Sequence, residues 1–490
     1  MKRKAISVNV VLNGIRTILS LLFPLVTFPY ITRVLAPEGI GQANFANSIV
    51  NYFVLIGALG ITTYAIREGA KKCEDRASFE FFASEMWTIS IWASIFSYLC
   101  LAIVLAIFDE LNVYRCLIAI YSVQILFNAL GMEWFFSVYE EYVYVVIRSF
   151  VFQCISLCLM FLLVKKPTDV YIYVIIQMFS IAGTGITNHI YVRGKVNLKL
   201  IWSKKLFGHL SSIMLIFFTT LATTIYINLD TSMLGFIWGD TQVGYYTVAT
   251  KLYNIIKALI NSMVTVYSVR LCSQYYQNKE EYLVIFNEAF QIITGLTIPI
   301  AMGGCLLRKE IIIMLGGSAY LEAATGLALL LISLIPATLG NLFGAGALLV
   351  MKEEKNMFAA TVTGTIVNMV LNYVFIHEMR CTGAAVATLI TELIVSGILI
   401  SRALCRIKLC VSITHILKSI LASVIFIPVI FGIGRLNFDF WLQLIVEVII
   451  CVVAYGGNLL LLKDEMALHF LRQVKRRQII LRGNRKYEKK

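Results

Sequence analysis

Residues 142–164 read YVYVVIRSFVFQCISLCLMFLLV, an apolar run that carries one charge, Arg148. A helix of about 20 such residues crosses a hydrocarbon core about 30 Å thick. Lipid offers no partners to backbone amides, so a run of this kind has to be helical. A β-barrel would need alternating strands of about 10 residues, and the sequence has none. Working outward from this block, the same pattern predicts spans at about 6–33, 43–65, 81–107, 114–137, 170–192, 211–236, 243–269, 284–307, 322–350, 356–377, 383–404, 414–434 and 440–462. With 142–164 that makes about fourteen, at about 35 residues per helix and loop, which leaves no room for an extramembrane domain. Pro299, Gly303, Gly304, Gly316, Gly317 and Pro336 interrupt the pattern over 300–350, where a short or re-entrant segment is the alternative.

The composition agrees. Hydrophobic residues make up 59% of the 490 and charged residues 14%, with a mean hydropathy of +0.81. A soluble domain carries about 25% charged residues, so this chain cannot cover a water-exposed globule. The net charge of +14 sits in short loops and the tail rather than on a domain that could bind nucleic acid. The eleven cysteines are scattered through apolar blocks without metal-ligand or disulfide spacing, and read as small buried hydrophobes. The N-terminal stretch lacks a small-residue cleavage site and is interrupted by Arg16, so it reads as a retained first helix.

Basic loop residues set orientation. With the N-terminus inside, about 30 Lys and Arg fall on cytoplasmic segments against about 8 outside. The pairs Glu140-Glu141 and Lys165-Lys166 run against the rule. Both termini are therefore expected in the cytoplasm. The basic tail, 463–490, is either an amphipathic segment lying on an anionic leaflet or a solvated extension.

The chain also resembles itself. IGQANFANSIVNYF (40–53) aligns with VGYYTVATKLYNII (243–256), so that Gly41 matches Gly244, Ala46 matches Ala249 and Asn51 matches Asn254. Each copy follows a short turn and opens the second helix of a six-helix half. Six is even, so the halves enter from the same side and form a parallel repeat, with a cleft between them. The expected organisation is all-α, with lobes at 1–203 and 204–408, two added helices at 409–462 and the tail.

Polar residues inside spans are costly and mark cavities or partners. Asn9, Asn13, Arg16, Ser20 and Thr27 share a face of the first helix, and Asn44, Asn47 and Asn51 share one of the second. Thr219, Thr223, Tyr226 and Asp230 line the seventh. Lys251, Asn254, Lys257, Asn261 and Thr265 line the eighth, and Thr361, Thr365, Asn368 and Asn372 the eleventh. Such stripes are either cavity walls or hydrogen-bonded glue between helices. For the first, second, seventh and eighth helices a cavity is the preferred reading, since they are the first pair of each half, and they also carry Arg16, Lys251 and Lys257. Three cations with few close anions call for water or an anionic ligand, although Asp230 could instead neutralise Lys251. Glu85, Glu133, Glu288, Glu392 and Glu447 lie in or near spans, where a carboxylate can exchange protons near neutral pH. Arg148 lies close enough to a helix end to snorkel. The five histidines cluster nowhere. Pro24 and Pro29 can bend the first helix.

FPYITRVLAPEGIGQANFANSIVNYF and NLDTSMLGFIWGDTQVGYYTVATKLYNII resemble the polysaccharide transporter (Wzx-type) branch of the multidrug/oligosaccharidyl-lipid/polysaccharide (MOP) exporter superfamily. The resemblance implies a two-lobed flippase of the bacterial inner membrane with a cationic cleft. Its substrate would be an undecaprenyl-pyrophosphate-linked oligosaccharide moved from the cytoplasmic leaflet. On this reading Arg16, Lys251 and Lys257 hold the anion and Asn13, Asn47, Asn51, Asn254 and Asn261 bond the sugar. Asp230, Glu133, Glu288 and Glu392 are candidates for coupling or gating by protons or sodium. No cofactor, metal or catalytic residue is expected, and no nucleic acid. The expected partners are the lipid-linked substrate, membrane lipids and other polysaccharide-assembly membrane proteins, around a monomer. The alternatives are a drug or cation exporter of the sister branch and a peptidoglycan-precursor flippase. A membrane glycosyltransferase would need a catalytic base, a metal motif or a long outer loop, and none is evident.

Overall fold

A computed structural model describes residues 6–203, 205–407, 411–436, 438–464 and 466–468, with side chains from Phe23 onward except those of Pro24 and Lys205. Among these residues there are helices and no strands. The long elements are α1 (Ile6–Ala58), α3 (Arg76–Ile107), α4 (Arg115–Gly131), α6 (Tyr142–Leu163), α7 (Val170–Arg193), α8 (Lys205–Trp238), α9 (Asp240–Gln277), α10 (Lys279–Leu306), α12 (Ala323–Phe343), α13 (Glu354–Arg406) and α16 (Phe440–Leu461). The short ones are α2 (Ile61–Lys72), α5 (Glu133–Val138), α11 (Arg308–Gly316), α14 (Ile413–Ser423) and α15 (Phe426–Ile433).

Twelve helical segments among the described residues are long and apolar enough to cross a membrane. Two of them contain a break. α1 and α13 are 53 residues each, interrupted at Ala36 (φ 57°, ψ 176°) and Arg380 (φ 55°, ψ −133°). A 53-residue helix would extend about 80 Å, so each supplies two passages and the count reaches fourteen. The expected loops of several residues at 34–42 and 378–382 are thus corrected to one non-helical residue each. At Arg380 the chain doubles back, since a side chain on Gly383 would overlap the Phe375 carbonyl oxygen.

Ala36 and Gly239 (φ 77°) hold the same position in the two copies of the repeat. Both carry a positive φ, which favours glycine. Each copy therefore turns sharply between its first and second helix at the matching residue. At Gly239 the turn folds α9 back along α8, because the Tyr246 hydroxyl donates to Asp230 sixteen positions earlier.

Other boundaries are set locally. Asp75 caps α3 by accepting from the Ala77 amide at 3.1 Å, and Asn278 caps α10 from Glu280 and Glu281 at 3.1 and 3.2 Å. The span expected over 43–65 stops at Ala58, because Leu59 (φ 46°) and Gly60 (φ 74°) break the helix before the short α2. In the interrupted region 300–350, α10 and α12 run through Pro299 and Pro336, and the short segment allowed for there is present as the nine-residue α11 between them.

The chain divides into two compact units. The first comprises residues 1–248, 314–321 and 368–384, the second residues 249–313, 322–367 and 385–490. In the first, Phe79, Phe82, Phe135 and Phe136 are buried between α2, α3, α5 and α8. In the second, Tyr282, Phe286 and Phe343 are buried between α10 and α12. Many large apolar side chains point outward instead, among them Phe96, Leu99, Ile103, Ile107, Val452 and Val453. Such faces are stable in lipid and not in water.

Within the first unit, the second half of α1 lies antiparallel to α8. The Phe45 ring fills the space that a side chain on Gly235 would occupy. Ser232 Oγ donates to Ser48 Oγ at 3.1 Å, and Asn51 Nδ2 donates to Asn228 Oδ1 at 3.1 Å. This seam joins the second helix of one repeat to the first helix of the other.

Candidate functional site

α9 places Lys251, Asn254, Lys257 and Asn261 on successive turns of one helix. Lys257 Nζ lies 2.7 Å from Glu392 Oε1 on α13, with side chains 25% and 9% exposed, and 5.3 Å from the centre of the Tyr253 ring. Lys257 and Glu392, expected in separate roles, are therefore one ion pair. Of the three cations expected to have few close anions, Lys257 thus has a carboxylate at contact distance. A lysine largely removed from water is unstable unless a counter-charge or a ligand accompanies it. Asn261 Oδ1 accepts from Asn341 Nδ2 on α12 at 2.9 Å. Lys251 is partly buried and Asn254 is exposed.

Apolar residues of α9 adjoin the same lysines. Leu252 and Ile256 help line a cavity of about 420 Å³ between α9, α10 and the C-terminal helices, walled also by Pro299, Phe426, Val452 and Tyr455.

In the first unit, Asp230 accepts from Tyr246 and, at 2.6 Å, from Asn372 Nδ2, which also lies 3.0 Å from Asn368 Oδ1. Asn47 accepts from Gln124 Nε2 at 3.3 Å, and Asn51 pairs with Asn228 as above. Part of the polar stripes on the second, seventh and eleventh helices is thus inter-helix glue rather than cavity wall. The Thr219 and Thr223 hydroxyls bond carbonyls of their own helix. Of the remaining carboxylates, Glu288 is exposed and accepts from the Tyr267 hydroxyl at 3.3 Å. Glu133 is 49% exposed and lies 3.6 Å from Arg148. The side chains of Arg16 and Asn13, and most of the basic tail, fall outside the described residues.

Two buried polar clusters depart from what the sequence implies. Arg148 does not snorkel: it is buried, donates to Asn188 Oδ1 on α7 and faces Glu133. His209 is not isolated either. Its Nε2 lies 3.2 Å from Glu85 Oε2 and its Nδ1 lies 2.7 Å from the Tyr64 hydroxyl. Partners 40 and 124 residues apart leave no local signal. The one hint was that Arg148, Asn188 and Glu85 are polar residues inside predicted spans.

The repeat, the paired sharp turns and the outward apolar faces define a multi-pass helical membrane protein with the fold of MOP-superfamily transporters. Among solved structures, "Lipid II flippase MurJ, inward closed conformation" superposes with TM-score 0.69 at 18% identity, covering 93% of this chain and 100% of that one. An inward-facing multidrug resistance MATE family transporter gives TM-score 0.64 at 14% identity, covering 82% and 98%. The chain belongs to the polysaccharide biosynthesis protein family, which matches residues 6–268; the MatE family matches residues 216–374. A relative named "Putative O-antigen transporter" from Escherichia coli (strain K12) is 24% identical over 401 residues, covering 77% of this chain and 92% of the relative. A relative of the same name from Shigella dysenteriae is 23% identical over 382 residues, covering 76% and 94%.

Proposed function

We propose that the chain is a flippase that carries an undecaprenyl-pyrophosphate-linked oligosaccharide from the cytoplasmic to the outer leaflet of a bacterial cell membrane by alternating access. The observation that carries this reading is the division of chemistry along α9. Lys251 and Lys257 adjoin Leu252 and Ile256, which face the apolar cavity beside the C-terminal helices. A substrate with an anionic head and a long hydrocarbon tail suits both surfaces at once, and the names of the curated relatives point the same way.

On this reading Arg16, Lys251 and Lys257 attract the pyrophosphate, and Asn13, Asn47, Asn254 and Asn261 bond sugar hydroxyls as they come free. Glu392 yields Lys257 to the substrate and takes up a proton or a sodium ion in its place, with Asp230 as the second coupling candidate. The excess of basic loop residues on one side supports a cytoplasmic position for both termini.

The test is reconstitution in proteoliposomes with a fluorescent undecaprenyl-pyrophosphate oligosaccharide, scoring transfer between leaflets. Wild-type protein is expected to move it, and Arg16→Ala to lose transfer while purifying as folded protein. Dye efflux without lipid transfer would favour a drug exporter, and selective transfer of a peptidoglycan precursor would favour that class of flippase. Full transfer by Arg16→Ala would remove the cationic cleft from the mechanism.

A further inference from the structure

Between α4 and α7, inside the first unit, lies a cavity of about 230 Å³. That is roughly eight waters' share of liquid volume, the size class of one sugar ring. Gln124 and Asn128 stand one turn apart on α4, and Thr184 and Asn188 one turn apart on α7. Together with Glu133 and the Phe127 ring they line the space. Glycine makes the two helices meet closely, since a side chain on Gly185 would strike Phe127 at 2.8 Å.

Asn188 is the deciding residue. It is fully buried. Its Oδ1 accepts from Arg148, and a guanidinium can only donate, so the amide orientation is fixed. The other end, Nδ2, is a buried donor without a hydrogen-bond partner. Leaving such a donor unmet is costly, and an acceptor brought in by a ligand removes that cost. The wall excludes several ligand classes. Glu133 repels a bare anion, and its charge is already faced by Arg148 at 3.6 Å, which weakens any hold on a cation. Amides and a hydroxyl both donate and accept, as sugar hydroxyls do, and an aromatic ring offers a face to the apolar side of a pyranose.

We infer that the α4–α7 cavity is a saccharide subsite, taking one sugar ring of the glycan that the proposed flippase carries. The inference rests on that function for the source of the sugar, and on the cavity alone for the binding chemistry. Asn188 and Asn128 act there as recognition residues.

The full-length protein in detergent, probed by saturation-transfer NMR with a panel of methyl hexosides and methyl N-acetylhexosaminides, tests the binding directly. At least one glycoside is expected to receive saturation. Its affinity should fall about tenfold in Asn128→Ala and in Asn188→Leu, the size of one lost hydrogen bond. Asn128 is exposed, so its truncation leaves the fold intact if Asn188→Leu does not. No saturation by any glycoside, equal signals in wild type and Asn128→Ala, or displacement by inorganic phosphate would each overturn the subsite. In proteoliposomes, Asn128→Ala is expected to narrow the rate difference between the glycan-linked lipid and the bare undecaprenyl pyrophosphate. Unchanged discrimination sinks the subsite and leaves the flippase standing. Failure of wild type to move either lipid sinks the flippase, while the glycoside result is still read by itself.

Discussion

Gly41 and Gly244 hold equivalent places in the two repeats, and each abuts the turn that precedes the other. A side chain on Gly41 would overlap the Asp240 carbonyl oxygen, and one on Gly244 would overlap that of Pro37. Pro37 and Asp240 are themselves equivalent, each following its positive-φ residue. The contact is therefore reciprocal, as a two-fold relation between like-oriented repeats requires. Gly41→Ala and Gly244→Ala are each expected to destabilise the protein by about 1–3 kcal/mol through overpacking against backbone, and by similar amounts. Gly208→Ala, where nothing lies within 4 Å, should be neutral or slightly stabilising. Thermal unfolding in detergent checks all three. A large difference between the two glycine variants would refute the reciprocity.

The seam beside these glycines gives a second prediction. Ser48 and Ser232 are both buried, with their hydroxyl oxygens 3.1 Å apart. In a background with native cysteines replaced, Ser48→Cys with Ser232→Cys should oxidise readily to a disulfide. If the proposed alternation parts the repeats at this seam, oxidation stops lipid transfer and reductant restores it. Transfer that continues through the oxidised form would locate the moving interface elsewhere.

The Lys257–Glu392 pair predicts a non-additive cycle. Removing one partner strands the other charge in a largely dry site, at a cost of about 3–5 kcal/mol. Lys257→Met and Glu392→Leu should therefore each lower the unfolding midpoint. The double variant should recover most of it, because a well-packed apolar pair often equals a buried ion pair in stability. Lipid transfer should stay lost in the double variant. Recovery of transfer along with stability would make the pair purely structural.

These pairs show what the sequence could and could not reveal. Apolar length exposes the spans because each has to satisfy the same hydrocarbon thickness, and the repeat appears because its two turns solve the same backbone problem at Ala36 and Gly239. Lys257 and Glu392 were each visible as charges inside spans. Their pairing was not, since 135 residues separate them and a helix's rotation about its own axis is set by packing. Arg148 misled for a related reason. Distance from a helix end allows snorkelling, but Asn188 and Glu133 offer it partners inside the bundle.

His209 supplies the last prediction, because it ties the start of the second repeat to the first. It is on the second turn of α8 and contacts Glu85 of α3 and Tyr64 of α2, with the Glu85 side chain only 3% exposed. The linker before it is held on the same face of α3. Ser84 Oγ accepts from the Lys199 amide at 3.2 Å, and Thr88 Oγ1 from that of Ile201 at 3.1 Å. His209→Phe keeps the ring's bulk but removes both polar contacts, which leaves the Glu85 carboxylate short of a donor at a cost of about 1–3 kcal/mol. Tyr64→Phe loses one contact and should cost about 1 kcal/mol. Loosening of the network should also free the linker, so trypsin is expected to cut after the exposed Lys199 faster in His209→Phe than in wild type, with Tyr64→Phe between them. A cleavage rate unchanged in His209→Phe would mean that Ser84, Thr88 and the apolar packing hold the linker without help from the histidine.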